Sequence, residues 1–236
     1  MTTYAPVDTN RIDRSDGSIV LSASQPLEPH APSIIHDFRS QSERRPNESL
    51  IVERRDGAWV HHSWSSIRRE VDALAQAMID RSLTSAPTLV LGGPSRLHLV
   101  AMLASMSVGT AVTSASVAYS LQSSDHAQLR HISSIIKPGL VVADNDSFAA
   151  AVAATHASTV LTERGDIEGS VALDDLTTTA VTEAVDDAVS RLTADTVAKY
   201  LFSSGSTGAP ERRHHDSWHA RRESATDTPG LAVSPR

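Results

Sequence analysis

The residues best suited to chemistry lie in the segment 199–210, where a short apolar run is followed by hydroxyl side chains and glycines. Tyr200, Leu201 and Phe202 predict a short buried strand, which the Ser, Thr, Gly and Pro residues after them cannot continue. Glycine lets the backbone turn with positive φ and lets a ligand come close, so successive loop N–H groups can form a concave anion site. The segment therefore predicts a polyphosphate cradle, with hydroxyl donors around it, made of Ser203, Ser204, Gly205, Ser206, Thr207 and Gly208.

Three other interpretations of this segment can be weighed from its residues. It is not a Walker loop, because G-x-x-x-x-G-K-[ST] is absent. A nucleophile elbow centred on Ser206 would make the protein a serine hydrolase, but the first Gly of G-x-S-x-G is missing and Ser204 stands in its place. A polar surface loop between strands is the remaining structural alternative.

Composition narrows the class of protein. The 236 residues suffice for one large domain or two small ones, and 40% hydrophobic residues allow a packed core. A net charge of −7 argues against a general nucleic-acid binder, and the absence of cysteine removes disulfides and thiolate sites. Residues 1–16 contain no apolar signal core, and polar residues interrupt the apolar region 99–118, which predicts a buried helix plus strand and no membrane span. A cytoplasmic protein is expected.

Strands that alternate with helices must position the cradle. Ser63 is predicted to cap an amphipathic helix, and Asp56-Gly57 is predicted to turn a hairpin between strands 50–54 and 59–62. Further strands are predicted at 88–91, 111–113, 140–143 and 158–161, with helices at 33–45, 97–108, 125–136 and 148–154. The acidic, Thr-rich segment 165–194 is expected to be a surface connection. This order predicts a layered α/β fold with a largely parallel sheet flanked by helices.

Residues 201–210 resemble, position by position, the phosphate-binding signature of the adenylate-forming superfamily, which includes acyl-CoA synthetases, luciferases and peptide-synthetase adenylation domains. Ser203 stands where Thr is commonest, and Glu211 stands where the signature has Lys. The resemblance covers roughly residues 30–210 and implies part of the N-terminal domain of such an enzyme. Segments 117–121, 125–132 and 137–141 are most similar to feruloyl-CoA synthetases, although Thr113-Ser114-Ala115-Ser116 replaces the usual Pro-Val-Ser-Pro.

The resemblance implies a reaction that uses ATP, Mg²⁺ and coenzyme A. A carboxylic acid, here a ferulate-like aromatic acid, attacks the α-phosphorus of ATP, and coenzyme A then displaces AMP from the acyl-adenylate. The six cradle residues would hold the β- and γ-phosphates, while Glu211 would repel them. No residue of this chain is assigned a catalytic or metal-binding role, because the family's Mg²⁺, ribose and catalytic-lysine positions all lie further downstream. The chain alone is therefore expected to be inactive.

The alternative function is a non-enzymatic nucleotide-binding or interaction module. A partial domain would also expose apolar surface, so self-association or aggregation is expected. Tight ATP binding without turnover would favour the module, and absence of binding would favour an inactive ligase fragment.

Three segments are expected: an extended leader at 1–32, a partial AMP-binding N-terminal domain at 33–210, and an aberrant or disordered tail at 211–236. Residues 211–236 can be encoded by codons that, when read one nucleotide out of frame, give a different amino-acid string. That string resembles the residues that feruloyl-CoA synthetases carry after their Pro-Lys. The sequence thus suggests a frameshift at the Pro210–Glu211 junction. His215 and His219 are four residues apart, as metal ligands can be, but a disordered tail is the favoured interpretation.

Isolated titratable residues elsewhere receive ordinary interpretations. His126 and His131 are five residues apart and do not share a helix face well, so they are expected to be surface or satisfied histidines. Asp186 and Asp187 are expected to be solvated rather than to act as a catalytic carboxylate pair.

Overall fold

A parallel sheet with helices on both faces dominates the structure, a computed structural model that describes residues 8–25, 30–203 and 211–216. The strands are β1 (Thr9–Asp13), β2 (Ile19–Ala23), β3 (Ser49–Arg55), β4 (Ala58–Ser63), β5 (Thr88–Leu91), β6 (Val112–Ala115), β7 (Leu140–Ala143), β8 (Thr159–Thr162), β9 (Val171–Ala172), β10 (Val197–Ser203) and β11 (Glu211–Asp216). The helices are α1 (Ile34–Arg44), α2 (Trp64–Asp80), α3 (Arg96–Ser107), α4 (Val117–Leu121), α5 (Ala127–Ile136), α6 (Ala149–Ala153), α7 (Leu173–Leu176) and α8 (Glu183–Ser190).

The main sheet has the strand order β11-β10-β6-β5-β7-β8-β9. Its strands from β10 to β9 are parallel, and β11 pairs antiparallel with β10 at one edge. All four residues of β5 and all four of β7 are buried, as expected for parallel strands covered on both faces. The predicted layered α/β fold is confirmed.

Two hydrophobic cores lie on opposite faces of this sheet. Val90 and Val142 point into one core, with residues of α1, α2, α3, α7 and α8. Leu91 and Val141 point into the other, with residues of α5 and α6. Alternate residues of each strand thus divide between the cores, because successive side chains of a strand face opposite ways.

Local sequence signals set most helix and hairpin boundaries. The Ser63 hydroxyl accepts from the Ser66 N–H at 3.1 Å and caps α2 as predicted. Gly109, with φ of +73°, follows the end of α3. Asp56 and Gly57 both have positive φ and turn the β3–β4 hairpin, the conformation that suits a two-residue hairpin loop.

Residues 165–194 were wrongly expected to be a surface connection. They contain β9, α7 and α8, and the side chains of Leu173 and Val185 are fully buried. Leu176 and Val189 follow these two residues at spacings of three and four, so each short helix presents one apolar face to the core. The acidic and Thr residues between them mask this pattern in the sequence.

The edge of the sheet near β10 also differs from expectation. Leu201, predicted to be buried, is 36% exposed, whereas Tyr200 and Phe202 pack against the core on the other face. Residues 211–216, the start of the tail expected to be aberrant or disordered, form the edge strand β11. Backbone pairing with an edge strand requires no apolar side chain, which is why hydropathy gave no signal. Residues 217–236 lie outside the described part of the chain.

Within the expected extended leader, β1 and β2 pair as an antiparallel hairpin. Its side chains are mostly exposed, including those of Ile12, Ile19 and Leu21. Among the described residues, no helix is long and apolar enough to cross a membrane.

Candidate functional site

The carboxyl ends of the parallel strands meet at one edge of the sheet. In open α/β sheets, ligands bind in the crevice at this edge, where neighbouring strands send their connections in opposite directions. Ser203 is the last residue of β10, so the predicted cradle begins at this edge. Ser204, Gly205, Ser206, Thr207 and Gly208 lie outside the described residues, and their role stays a prediction.

The backbone on both sides of the cradle segment is described. Ser203 and Glu211 are register partners in the β10–β11 pair, so residues 204–210 connect two directly paired positions. Glu211 therefore begins its strand next to the cradle segment, at the position where the resembling signature places a lysine.

Asp144 occupies the crevice between β5 and β7. It follows the last residue of β7, and its carboxylate accepts a hydrogen bond from the Gly93 N–H at 2.8 Å and from the Ser95 hydroxyl at 3.2 Å. A Cβ atom on Gly92 would lie 2.5 Å from Asp144 Cγ, and Cβ atoms in real structures do not approach other atoms so closely. The Asp144 carboxylate would therefore have to shift if residue 92 carried a Cβ atom.

This carboxylate also lies at the N-terminus of α3, whose capping residue is Ser95. The positive end of a helix dipole and its free N–H groups attract an anion, and here a protein side chain supplies it. A phosphate at this helix would have to displace Asp144. The neighbouring ends of β6 and β10 are thus the better place for a polyphosphate.

Sequence reasoning missed Asp144, Ser95, His98 and Ser114 as residues of this edge. The His98 ring forms hydrogen bonds with the Gly93 carbonyl at 3.0 Å and the Ser114 hydroxyl at 2.9 Å. These two bonds connect the turn after β5 to β6. The one available signal was that Asp144 directly follows a buried apolar strand, the position from which side chains of a parallel sheet reach a ligand.

A charged cluster beside α3 anchors its first turn. Arg96, 9% exposed, forms ion pairs with Glu70 at 3.3 Å, Glu163 at 3.5 Å and Asp174 at 3.0 Å. The backbone N–H of Arg96 also donates to the Glu53 carboxylate at 3.2 Å. The cluster joins the β3–β4 hairpin, α2, α3, α7 and the segment after β8, so its role is to hold these elements together.

Glu70 and Glu53 of this cluster have opposite pKa shifts. Burial raises the pKa of Glu70, and the nearby Arg96 charge only partly offsets this effect. Burial would also raise the pKa of Glu53, but hydrogen bonds from the Arg96 N–H, His62 and Arg55 outweigh it and hold that pKa below its usual range. Glu53 is therefore the member of the cluster that is stabilised as a carboxylate.

A groove of about 550 Å³ opens at the opposite, amino end of the sheet. Arg130, Lys137 and His156 line it, but the ends of α5 and α6 also point there, and cations favourably offset the negative ends of helices. The hydroxyls of Ser133 and Thr155 donate to backbone carbonyls, so they do not supply donors for an anion.

Histidines and aspartates that the sequence singled out have ordinary roles. His126 is the N-cap residue of α5, and its ring nitrogen Nδ1 lies 3.3 Å from the Tyr119 carbonyl oxygen. His131 lies within α5. Asp186 accepts from Arg39 at 2.7 Å while its side chain is 71% exposed. Among the residues that the structure describes, no group of His, Cys, Asp and Glu is placed to bind a metal ion.

Comparison with known families gives a match over most of the chain. The model of the AMP-binding enzyme family matches residues 38–211, which is more than half of the 236 residues. The comparison with curated proteins found no significant match.

Solved structures share the fold at low sequence identity. A natural red-emitting luciferase from Phrixothrix hirtus has a TM-score of 0.69 and 14% identity, over 91% of this chain and 54% of its own. The NpsA N-terminal subdomain of Klebsiella oxytoca, in complex with 3-hydroxybenzoyl-AMSN, has a TM-score of 0.58 and 19% identity, over 79% and 41%. A fatty acyl-adenylate ligase from L. pneumophila, in complex with acyl adenylate and pyrophosphate, has a TM-score of 0.57 and 14% identity, over 80% and 31%. The chain thus spans about a third to a half of these proteins.

Proposed function

Because the chain belongs to the AMP-binding enzyme family, we propose that it carries the ATP-phosphate cradle of an acid-activating ligase. The cradle consists of Ser203, Ser204, Gly205, Ser206, Thr207 and Gly208. The observation that carries this proposal is the position of Ser203 at the carboxyl end of β10, beside β6 in a parallel sheet. Backbone N–H groups and hydroxyls at such an edge can stabilise the negative charge of a polyphosphate.

The proposed reaction forms an acyl-adenylate. A carboxylate oxygen of the acid attacks the α-phosphorus of ATP, the bond to the bridging oxygen breaks, and pyrophosphate leaves. Mg²⁺ would reduce the phosphate charge, and a coenzyme A thiol would then displace AMP to give a thioester. Two neighbours with the same fold contain an acyl adenylate and a 3-hydroxybenzoyl-AMSN molecule, which supports an activated acid as the ligand class.

We further propose a ferulate-like aromatic acid as the substrate and the cytoplasm as the location. The substrate rests on the resemblance of segments 117–121, 125–132 and 137–141 to feruloyl-CoA synthetases. The other function expected from sequence, a non-enzymatic nucleotide-binding or interaction module, is not favoured by the family match.

Turnover is not expected of this chain alone, and Glu211 is expected to weaken its binding of ATP. We propose that the partial domain, 33–210, does not complete the reaction alone, because Glu211 stands where the family signature has a lysine that would pair with the phosphates. A pyrophosphate-exchange assay with ferulate, ATP and Mg²⁺ should give no exchange above a blank without protein. Isothermal titration with ATP serves as the companion measurement. Exchange would contradict the proposed inactivity, and tight ATP binding without exchange would favour the binding module. Weak or undetectable ATP binding is the result expected of a ligase fragment in which Glu211 repels the phosphates.

The tail 211–236 forms a separate proposal. We propose that it is translated in a shifted frame that begins at the Pro210–Glu211 junction. Sequencing the gene across codon 211 should show that an alternative frame encodes S-G-V-I-T-T-H-G-M-L-A-A-N after the cradle. If neither alternative frame encodes this string, the frameshift is excluded.

A further inference from the structure

Ser114 and His98 form a hydrogen-bonded pair at the carboxyl edge of the sheet. Ser114 Oγ lies 2.9 Å from His98 Nε2. Ser114 belongs to β6, and its side chain is exposed although its neighbours Thr113 and Ala115 are buried. A hydroxyl on an inner strand of the sheet is thus accessible to a ligand on one face.

The hydrogen bonds define the roles of the two imidazole nitrogens. A carbonyl oxygen only accepts hydrogen bonds, so the contact of 3.0 Å between His98 Nδ1 and the Gly93 carbonyl places a proton on Nδ1. In the neutral ring, Nε2 then has a free lone pair and accepts the Ser114 proton. The same residue is also fixed through its other peptide group, because the Asp144 carboxylate accepts from the Gly93 N–H at 2.8 Å.

This arrangement is that of a serine nucleophile with a general base. The hydroxyl lies within hydrogen-bond reach of the base, and a third group fixes the orientation of the base. Here the Gly93 backbone carbonyl takes the position that a carboxylate occupies in Ser-His-Asp sites.

The surface beside Ser114 favours an apolar substrate. Lys199 pairs with Val112 across the β10–β6 boundary, so counting two residues along each parallel strand aligns Leu201 with Ser114. Leu201 is 36% exposed. An apolar group attached to a carbonyl could contact Leu201 while its carbonyl carbon faces the Ser114 hydroxyl.

We propose that Ser114 is a nucleophile, activated by His98, that accepts an apolar acyl group from an ester or an acyl phosphate. Ser114 Oγ forms a bond to the carbonyl carbon while its proton passes to His98 Nε2. The bond from that carbon to the leaving oxygen breaks, and the leaving group takes the electron pair and then the proton from His98. This activity goes beyond the proposed ATP cradle, since it requires no nucleotide.

The test uses the full chain and a fluorophosphonate probe, which reacts with activated serine hydroxyls by replacing the P–F bond with a P–O bond. Mass spectrometry of the digested protein should find the adduct on Ser114. His98→Gln should lower the labelling rate by about 100-fold, the usual size of a general-base contribution. Ser114→Ala should abolish the adduct. Ser116→Ala is the matched control, because Ser116 is exposed on the same segment but its hydroxyl only caps α4.

Two acyl donors then show whether the acyl group can come from an ester or from an acyl phosphate. p-Nitrophenyl acetate represents an ester and benzoyl adenylate an acyl phosphate, and transfer of either acyl group to Ser114 supports the proposal. Folded wild-type protein that gives no Ser114 adduct with the probe overturns it, as does labelling that His98→Gln leaves unchanged. Either result would assign the hydrogen bond the structural role of holding α3 against β6. Because the probe contains no nucleotide, neither outcome depends on whether the chain binds ATP.

Discussion

Glu211→Lys is expected to tighten ATP binding by on the order of 100-fold, because the change replaces a repulsive charge beside the phosphates with an attractive one. At ~4 Å a unit charge interacts by roughly 4 kcal/mol in a partly wet site, and exposure to solvent reduces this figure. Glu211 pairs directly with Ser203, so the substituted residue begins its strand at the cradle. Isothermal titration of both proteins with ATP measures the difference.

The matched control for this substitution lies on the same strand. Asp216→Lys makes the same change in net charge at the far end of β11, five residues away and thus about 17 Å along a strand. Charges at that separation are largely screened at physiological salt. Equal gains from both substitutions would show that net charge alone governs binding and would contradict a phosphate site beside Ser203.

Gly92→Ala is expected to destabilise the protein by about 3 kcal/mol, the upper part of the range for overpacking a tightly packed site. The new methyl group would lie 2.5 Å from Asp144 Cγ, so the carboxylate must move. Its movement would break the hydrogen bonds to the Gly93 N–H and the Ser95 hydroxyl. Urea denaturation followed by circular dichroism measures the loss.

The adjacent glycine provides the control. A Cβ atom on Gly93 would meet Asp144 Oδ2 at 3.9 Å, an ordinary contact, so Gly93→Ala should change stability little. A second test is the double-mutant cycle, in which Asp144→Ala removes the clashing carboxylate and Gly92→Ala should then cost much less. A cost of Gly92→Ala that is the same with and without Asp144 would show that the clash is not its cause.

The sequence by itself determined most elements between α1 and β8 and the end of β10, after which the proposed cradle begins. Apolar runs of four residues fixed β5 and β7, and a serine before a helical stripe fixed the start of α2. These signals are local, because a strand or helix reveals its period within about ten residues. The end of β10 followed in the same way from the Ser and Gly residues that succeed an apolar run.

Only the tertiary structure decided which side chains meet at the edge of the sheet. Asp144 lies 51 residues from Gly93, and Arg96 lies 43 residues from Glu53 and 78 from Asp174. Parallel strands joined by crossovers place distant residues together according to strand order and register, which no local pattern encodes. The Ser114–His98 pair and the close packing of Asp144 against Gly92 both arise from that arrangement.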